Sequence, residues 1–413
     1  MKPIAFSYHP VASPLHSAEE LGRLLTPYAT ALQSAGGTPA DASTAPGSPL
    51  VAFIQTGGTE RLALDLLARA PAGAPFFLFA HPAHNSLPAA LEILARCRQL
   101  KRHARLFFLR SPDDSATFAE FDEAFRAAAA VSALRSARIG CFGEPSDWLV
   151  ASSQAPDVVA RRFGTHLIPI SLDVLRATVR ETPLPTPDDP AFELYRDATA
   201  TPDVPPEAFA ASLRLARALH TLARERNLTA LTIRCFDILA DGATGCLALA
   251  MLADAGIPAA CEGDIPSAIG LLWSWLLSGR PAWMANPADI DPSTDTALLA
   301  HCTTPLTLAD SYAFLTHFES GSGLAIDATL RTPSPATLIR IGGADLDTFQ
   351  AADVTLLESL HRPGLCRTQV RIALPPGAAA RWLAAPLGNH VLLAPAAHFS
   401  SLFRLSFSFT LPP

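Results

Sequence analysis

The groups best suited to acid–base or metal chemistry gather in one stretch, Ile257-Pro-Ala-Ala-Cys-Glu262-Gly-Asp264-Ile-Pro266, which leads into an apolar run ending at Gly279. A short apolar strand runs into Glu262, and a helix opens about three residues later, with Pro266 in its first turn and Gly279 past its end. That pattern puts the Glu262 carboxylate at a strand's carboxyl end beside a helix N-terminus, whose partial positive charge favours an ionised base or metal ligand. Asp264, just ahead of the apolar helix, has the type and position of a helix N-cap. The next stretch, Pro281-Ala-Trp-Met-Ala-Asn286-Pro-Ala-Asp289-Ile-Asp291, reads as an apolar strand ending in oxygen-bearing side chains. His301 closes a strand at 298–302, and His390 starts another after a glycine turn. One histidine among apolar residues usually just bonds a backbone carbonyl. Two of them, with carboxylates at loop ends, raise the prospect of a metal site, although no fixed spacing of the HExxH kind is present.

Elements that could hold these groups are legible in the hydrophobic pattern. Short apolar runs at 3–7, 50–56 and 76–80 alternate with amphipathic helices at 18–34 and 60–69, as βαβ units with a parallel sheet require. Each such strand opens into a polar loop, Gly57-Gly-Thr-Glu60 or His81-Pro-Ala-His84-Asn85-Ser86, at the end where open parallel sheets bind ligands. A second unit starts with the strand 137–142 and continues through 166–170 and 230–235. Between the last two lies a Pro-, Asp- and Thr-rich stretch, 182–206, expected to be an exposed connection before a long helix at 206–227. From about residue 290 the texture becomes β-rich, with strands at 298–302, 324–329, 336–342, 354–359, 368–373 and 390–394 separated by glycine and proline turns. The expected fold is α/β: two parallel-sheet domains of the Rossmann or flavodoxin-like kind, 1–134 and 135–290, then a β-rich, barrel-like domain at 291–413.

Composition narrows the function. Thirty-one basic against 38 acidic residues give a net charge of −7. No stripe of Lys or Arg exists for a phosphate backbone, so nucleic acid is not an expected partner. The longest apolar run, 269–277, is broken by Ser274, and the first residues lack the apolar stretch of a signal peptide; a cytoplasmic protein without a membrane span is expected. Seven cysteines lie far apart with no CxxC pair, the pattern of reduced core thiols.

Several segments carry a family resemblance: Arg234-Cys-Phe-Asp237, Cys261-Glu-Gly-Asp264, Ala300-His-Cys-Thr303, His317-Phe-Glu-Ser-Gly-Ser-Gly323, Leu365-Cys-Arg-Thr-Gln369 and Leu387-Gly-Asn-His390. Together with Gly57-Gly-Thr-Glu60 and Asn85-Ser-Leu-Pro-Ala-Ala90, the chain resembles the L-fucose isomerase-related proteins, which share their architecture with L-arabinose isomerase. The resemblance implies an aldose–ketose isomerase acting on a monosaccharide through an enediol, with a divalent cation, usually manganese, held by two acidic residues and one or two histidines. Carried over by position, Glu262 is the first acidic ligand and the catalytic base, and His301 and His390 are the histidines. The second acidic position falls on Asn286 or Ala285, a departure from the family pattern. Asn286 would offer only a carbonyl oxygen, with no charge and no capacity to take a proton. Either Asn286 serves as a weaker ligand, or Asp264, Asp289 or Asp291 stands in.

Imidazole with carboxylate suits manganese better than calcium. Trp148, Arg234, Asp237, Glu319 and Arg367 are the candidates for sugar binding. The resemblance also implies a homo-oligomer, trimer or hexamer, with active sites between subunits. Because sites rather than folds define reactions, two alternatives stand beside isomerisation: another sugar-modifying enzyme on the same scaffold, such as an epimerase or carbon–carbon lyase, and a non-catalytic carbohydrate-binding protein.

Overall fold

Strands that read Leu-Val-Ala-Phe-Ile and Phe-Phe-Leu-Phe-Ala are apolar at every position, as strands are when helices cover both faces of their sheet. In the computed structural model, which describes residues 4–40, 49–71, 73–395, 397 and 399–410, they form the middle of a parallel sheet. Its strands are β1 (Phe6–Val11), β2 (Gly37–Pro39), β3 (Leu50–Ile54), β4 (Phe76–Ala80) and β5 (Ala104–Phe108), in the order β2-β1-β3-β4-β5. The helices Ala18–Ser34 and Glu60–Arg69 have the limits that the periodicity predicts. The opening strand is shifted from the expected 3–7 to Phe6–Val11, because pairing with β2 starts at Phe6 and pairing with β3 carries it through His9 and Pro10 to Val11. Residue 3 lies outside the described residues.

A second parallel sheet contains β6 (Arg138–Phe142), β7 (His166–Ile170), β8 (Ala230–Ile233) and the short β9 (Ala259–Ala260), ordered β7-β6-β8-β9. The stretch at 182–206 is more than an exposed connection: it holds a 3-10 turn, Pro190–Phe192, and a short helix, Glu193–Arg196. Phe192 and Val204 anchor it in the barrel core, where Phe192 packs on Phe209 with ring centroids 4.9 Å apart.

The β-rich portion closes on itself. β10 (Trp283–Asp291), β11 (Thr296–His301), β14 (Ser334–Gly342), β15 (Thr348–Leu360), β16 (Thr368–Ala373) and β17 (Val391–Ala394) form an antiparallel barrel in the order β10-β11-β16-β15-β14-β17. A separate hairpin pairs β12 (Ala309–Leu315) with β13 (Ala325–Leu330). Alternate residues fill the barrel, among them Trp283 and Ala285 of β10, Ala297 and Leu299 of β11, Ala336 and Leu338 of β14, and Val391 and Leu393 of β17. β10 does not stop at the cluster of oxygen-bearing side chains. It runs through Asn286 and Asp289 to Asp291, because β11 pairs with it along that length, with a register shift between Pro287 and Asp289.

The chain divides into two compact units, Met1–Ala133 with Leu405–Pro413, and Leu134–Arg404. The second unit contains both the β6–β9 sheet and the barrel, joined by the apolar helix Ile265–Ser278, which packs on β8 and β9 on one side and β14 and β17 on the other. Among the described residues no helix is long and apolar enough to cross a membrane.

The entry to that helix is conformationally demanding. Glu262 and Gly263 are both left-handed, at φ 63° and 75°, before Asp264 caps the helix by accepting from Ser267 N–H at 2.7 Å. A Cβ on Gly263 would sit 2.6 Å from Pro145 Cα, whereas one on Gly279, also left-handed at φ 65°, meets nothing within 4 Å. Gly279→Ala therefore bears only the backbone cost, about 1–2 kcal/mol. Gly263→Ala adds a clash with backbone, typically about 1–3 kcal/mol more. Urea unfolding should show Gly263→Ala as clearly the more destabilised of the two; equal midpoints would contradict this packing.

Candidate metal and active site

Glu262, His301 and His390 arrive from three separate elements. Glu262 follows β9, and the loop after β6 fixes its backbone, because Ser146 N–H donates to the Glu262 carbonyl at 2.9 Å. His301 ends β11 and continues the inward-facing row of Ala297 and Leu299, which brings its ring to the mouth of the barrel. His390 immediately precedes β17. One ligand atom from each lies within 4.8 Å of the others, and all three residues are buried.

Their protonation chemistry is set by their neighbours. Burial pushes the Glu262 carboxyl up, but His390 and the Trp148 indole outweigh it and hold it below the usual carboxylate range. The Trp148 indole N–H donates to Glu262 Oε2 at 2.5 Å. Burial, reinforced by the charge of His390, pushes the His301 imidazole down to about 4, so the ring is neutral near pH 7. His301 Nδ1 lies 2.9 Å from the Thr303 hydroxyl and 3.2 Å from the Thr303 amide. The Thr303 N–H donates to that nitrogen, so an ion at Nε2 would require the neutral ring's proton to sit on Nδ1 with the hydroxyl as its acceptor.

His390 is the most constrained of the three. Its Nδ1 is 2.9 Å from Asp264 Oδ2, while its Nε2, 3.4 Å from Glu262 Oε1, is a buried nitrogen with no hydrogen-bond partner of acceptable geometry. Burial pushes this imidazole down, but the carboxylates of Asp264 and Glu262 outweigh it and raise it to about 9. Two imidazoles and a carboxylate whose ligand atoms lie this close together are a donor set that could hold a metal ion. Asp264 is both the cap read from the sequence and the partner of His390.

The other candidates fall in several places. Trp148 is 51% exposed and forms a wall with Phe236, whose ring lies 5.1 Å from its own; Phe236 in turn meets His317 at 5.6 Å. Arg234 pairs with Asp147 at 3.1 Å and Asp237 at 3.0 Å and donates to the Pro145 carbonyl at 2.7 Å, so it clamps the loop that carries Trp148. Glu319 is exposed on the Ser-Gly loop, and Arg367 donates to the Thr316 carbonyl at 2.8 Å while lying over Phe318. Asn286 is half-buried on β10, registered opposite Ala300; the inward position registered nearest His301 is occupied by Ala285. Asp289 lies 3.8 Å from Arg362, and Asp291 accepts from Ser293 and Thr294 in the β10–β11 turn.

Sequence reasoning missed Arg340, Ser152 and Ser267, which surround Asp264. A solitary cation inside the apolar strand Ser334–Gly342, in step with the inward residues Ala336 and Leu338, was the available signal. It also missed that dispersed cysteines converge near the site. Cys246, Cys302 and Cys366 pack together, and Cys235 and Cys261 have sulfurs 2.7 Å apart, all of them as free thiols.

No protein-family model matches the chain. Over 275 residues it is 25% identical to a sulfoquinovose isomerase of Clostridium sp. (strain MSTE9), a stretch that covers 64% of this chain and 61% of that relative. The match thus spans about three-fifths of the relative's length.

The His390 environment predicts a pH dependence. A folded-state value of about 9 against an ordinary 6.5 contributes stability that is fully present below about pH 6.5 and lost as pH rises through about 9. The thermal midpoint of chelator-treated protein should fall across that window, and His390→Gln should flatten the fall. A midpoint of the chelator-treated, unsubstituted chain that stays constant from about pH 6 to 9.5 would rule out an imidazolium held between two carboxylates.

Proposed function

We propose that the protein is a divalent-cation-dependent aldose–ketose isomerase of monosaccharides, with manganese the favoured ion. The observation that carries this reading is the buried convergence of Glu262, His301 and His390 from three elements, with His390 Nε2 left without a hydrogen-bond partner. The likeness to a sulfoquinovose isomerase supports the reaction class and makes sulfoquinovose the first sugar to test.

Isomerisation moves a proton between C1 and C2 of the open-chain sugar. Glu262 is the group for that transfer: it is ionised, and Trp148 fixes one of its oxygens in direction. A positioned base of this kind typically contributes about 10²–10⁴ in rate. His301, His390 and Glu262 would hold the ion, which when bound supplies stabilisation of the oxyanion that develops beside the transferred proton. Trp148 and Phe236 offer an apolar wall for the sugar, and Arg234 holds that wall in place through Asp147 and the Pro145 carbonyl. Asp237, Glu319, Arg367 and Asn286 enter as candidate polar contacts. Asn286→Ala is expected to weaken ion binding less than Glu262→Gln, since β10 presents Ala285 rather than Asn286 on the barrel-facing side.

The reading extends to a homo-oligomer, trimer or hexamer. Support comes from Trp148 and Val150, 51% and 88% exposed beside the buried Glu262, which leave an apolar rim that a second copy would cover. A cytoplasmic location belongs to the same reading.

The test is incubation of manganese-loaded protein with sulfoquinovose and with neutral aldoses in deuterated water. Ketose carrying deuterium at the carbon next to the carbonyl is expected, and Glu262→Gln should lose about 10² or more in rate. Exchange without ketose would redirect the assignment to epimerisation or carbon–carbon cleavage. Sugar binding without exchange or bound metal would favour the non-catalytic alternative.

A further inference from the structure

Behind the three donors lies a second layer of charge that the isomerase reading does not use. Asp264 and His390 are both fully buried, and Arg340 is 3% exposed. Arg340 Nη1 donates to Asp264 Oδ2 at 3.2 Å and to Ser267 Oγ at 2.7 Å, and its Nη2 donates to Ser152 Oγ at 2.5 Å. Its Nε reaches the Leu387 carbonyl at 3.5 Å, in the loop that leads to His390. Gly388 in that loop has room for no side chain, because a Cβ would lie 2.5 Å from Arg340 Nη2. One guanidinium thus grips both the carboxylate that holds His390 and the backbone that delivers it.

We propose that Asp264 and Arg340 are positioning residues for the ion site: Asp264 accepts the Nδ1–H of His390 and so fixes its ring with Nε2 turned toward Glu262, and Arg340 locks Asp264 in that orientation. The inference rests on the cation-dependent reading above. A hydrogen bond on the far nitrogen selects the tautomer and ring orientation of a ligating histidine and raises its basicity; losing it typically costs about 10–100-fold in metal affinity. Asp264 has a second duty as the cap of Ile265–Ser278, and the two duties can be separated, because Asn caps helices about as well as Asp. Asp264→Asn retains the acceptor for Ser267 N–H but replaces the carboxylate facing His390 by an amide.

Manganese binding to the full-length protein, followed by the paramagnetic resonance of the free ion, tests the assignment. Asp264→Asn should bind about 10–100-fold more weakly than the native chain. In a His390→Asn background the same substitution should cost nothing further, since its effect passes through the missing ring. Arg340→Lys, which keeps the charge but loses the multi-donor fork, should weaken binding in the same direction and carries the test should Asp264→Asn fail to fold. Unchanged affinity in folded Asp264→Asn overturns the assignment. An equal loss in the His390→Asn background also overturns it, because that marks a purely structural effect. A native chain that binds no manganese is read before any substitution and removes the cation-dependent reading itself, and this assignment with it.

Discussion

Asp264 is a carboxylate removed entirely from water that serves a helix terminus, a guanidinium and an imidazole at once. Burial of such a group is costly unless every oxygen finds a donor, and here each does. Burial pushes its carboxyl up, yet Arg340 and His390 hold it down at about 2. The charge is therefore retained where an isolated acid would neutralise. Through it, the start of Ile265–Ser278, the mouth of the barrel and the loop before β17 are bound to one point, which sets the positions of Glu262 and His390 relative to each other.

The charges around that point balance. Without an ion, the carboxylates of Glu262 and Asp264 face the Arg340 guanidinium and a His390 held in its protonated form. His301, a few ångströms away, stays neutral because burial and the neighbouring imidazolium both oppose its charge. Two chemically identical side chains thus hold opposite protonation states, one with carboxylates on both nitrogens and the other with a threonine. An ion held there would compete with the proton on His390, which would make such a site sensitive to pH.

Backbone geometry serves the same centre. Glu262 is one of the few non-glycine residues in the left-handed region among the described residues, and Gly263 beside it is pressed against Pro145. Residues held in sparsely populated conformations persist where surrounding structure over-determines them. Here the constraint comes from Ser146 and Ile233 on the backbone and from Trp148 on the side chain. The wall of Trp148 and Phe236 then stands beside a carboxylate whose direction is already fixed.

Much of this was legible in the chain itself. Periodicity gave the helices Ala18–Ser34 and Glu60–Arg69 residue by residue, the alternation of apolar runs with amphipathic helices gave the parallel sheets, and the β-rich texture gave the barrel. The strand–Glu–Gly–Asp–helix order marked Glu262 and the cap at Asp264, because capping and strand-end chemistry are local and leave a local signature. What the chain could not reveal were relations between distant residues. That His390 should lean on Asp264, 126 residues away, or that Arg340 should reach Ser152, 188 residues away, depends on the barrel closing and on the apolar helix bridging barrel and sheet. The end of β10 was misjudged for the same reason: Asn286 through Asp291 look like a loop by residue type, and only pairing with β11 makes them strand. Sequence determines side-chain chemistry and short-range geometry; which groups share a buried volume, and hence which protons they keep, is decided by packing alone.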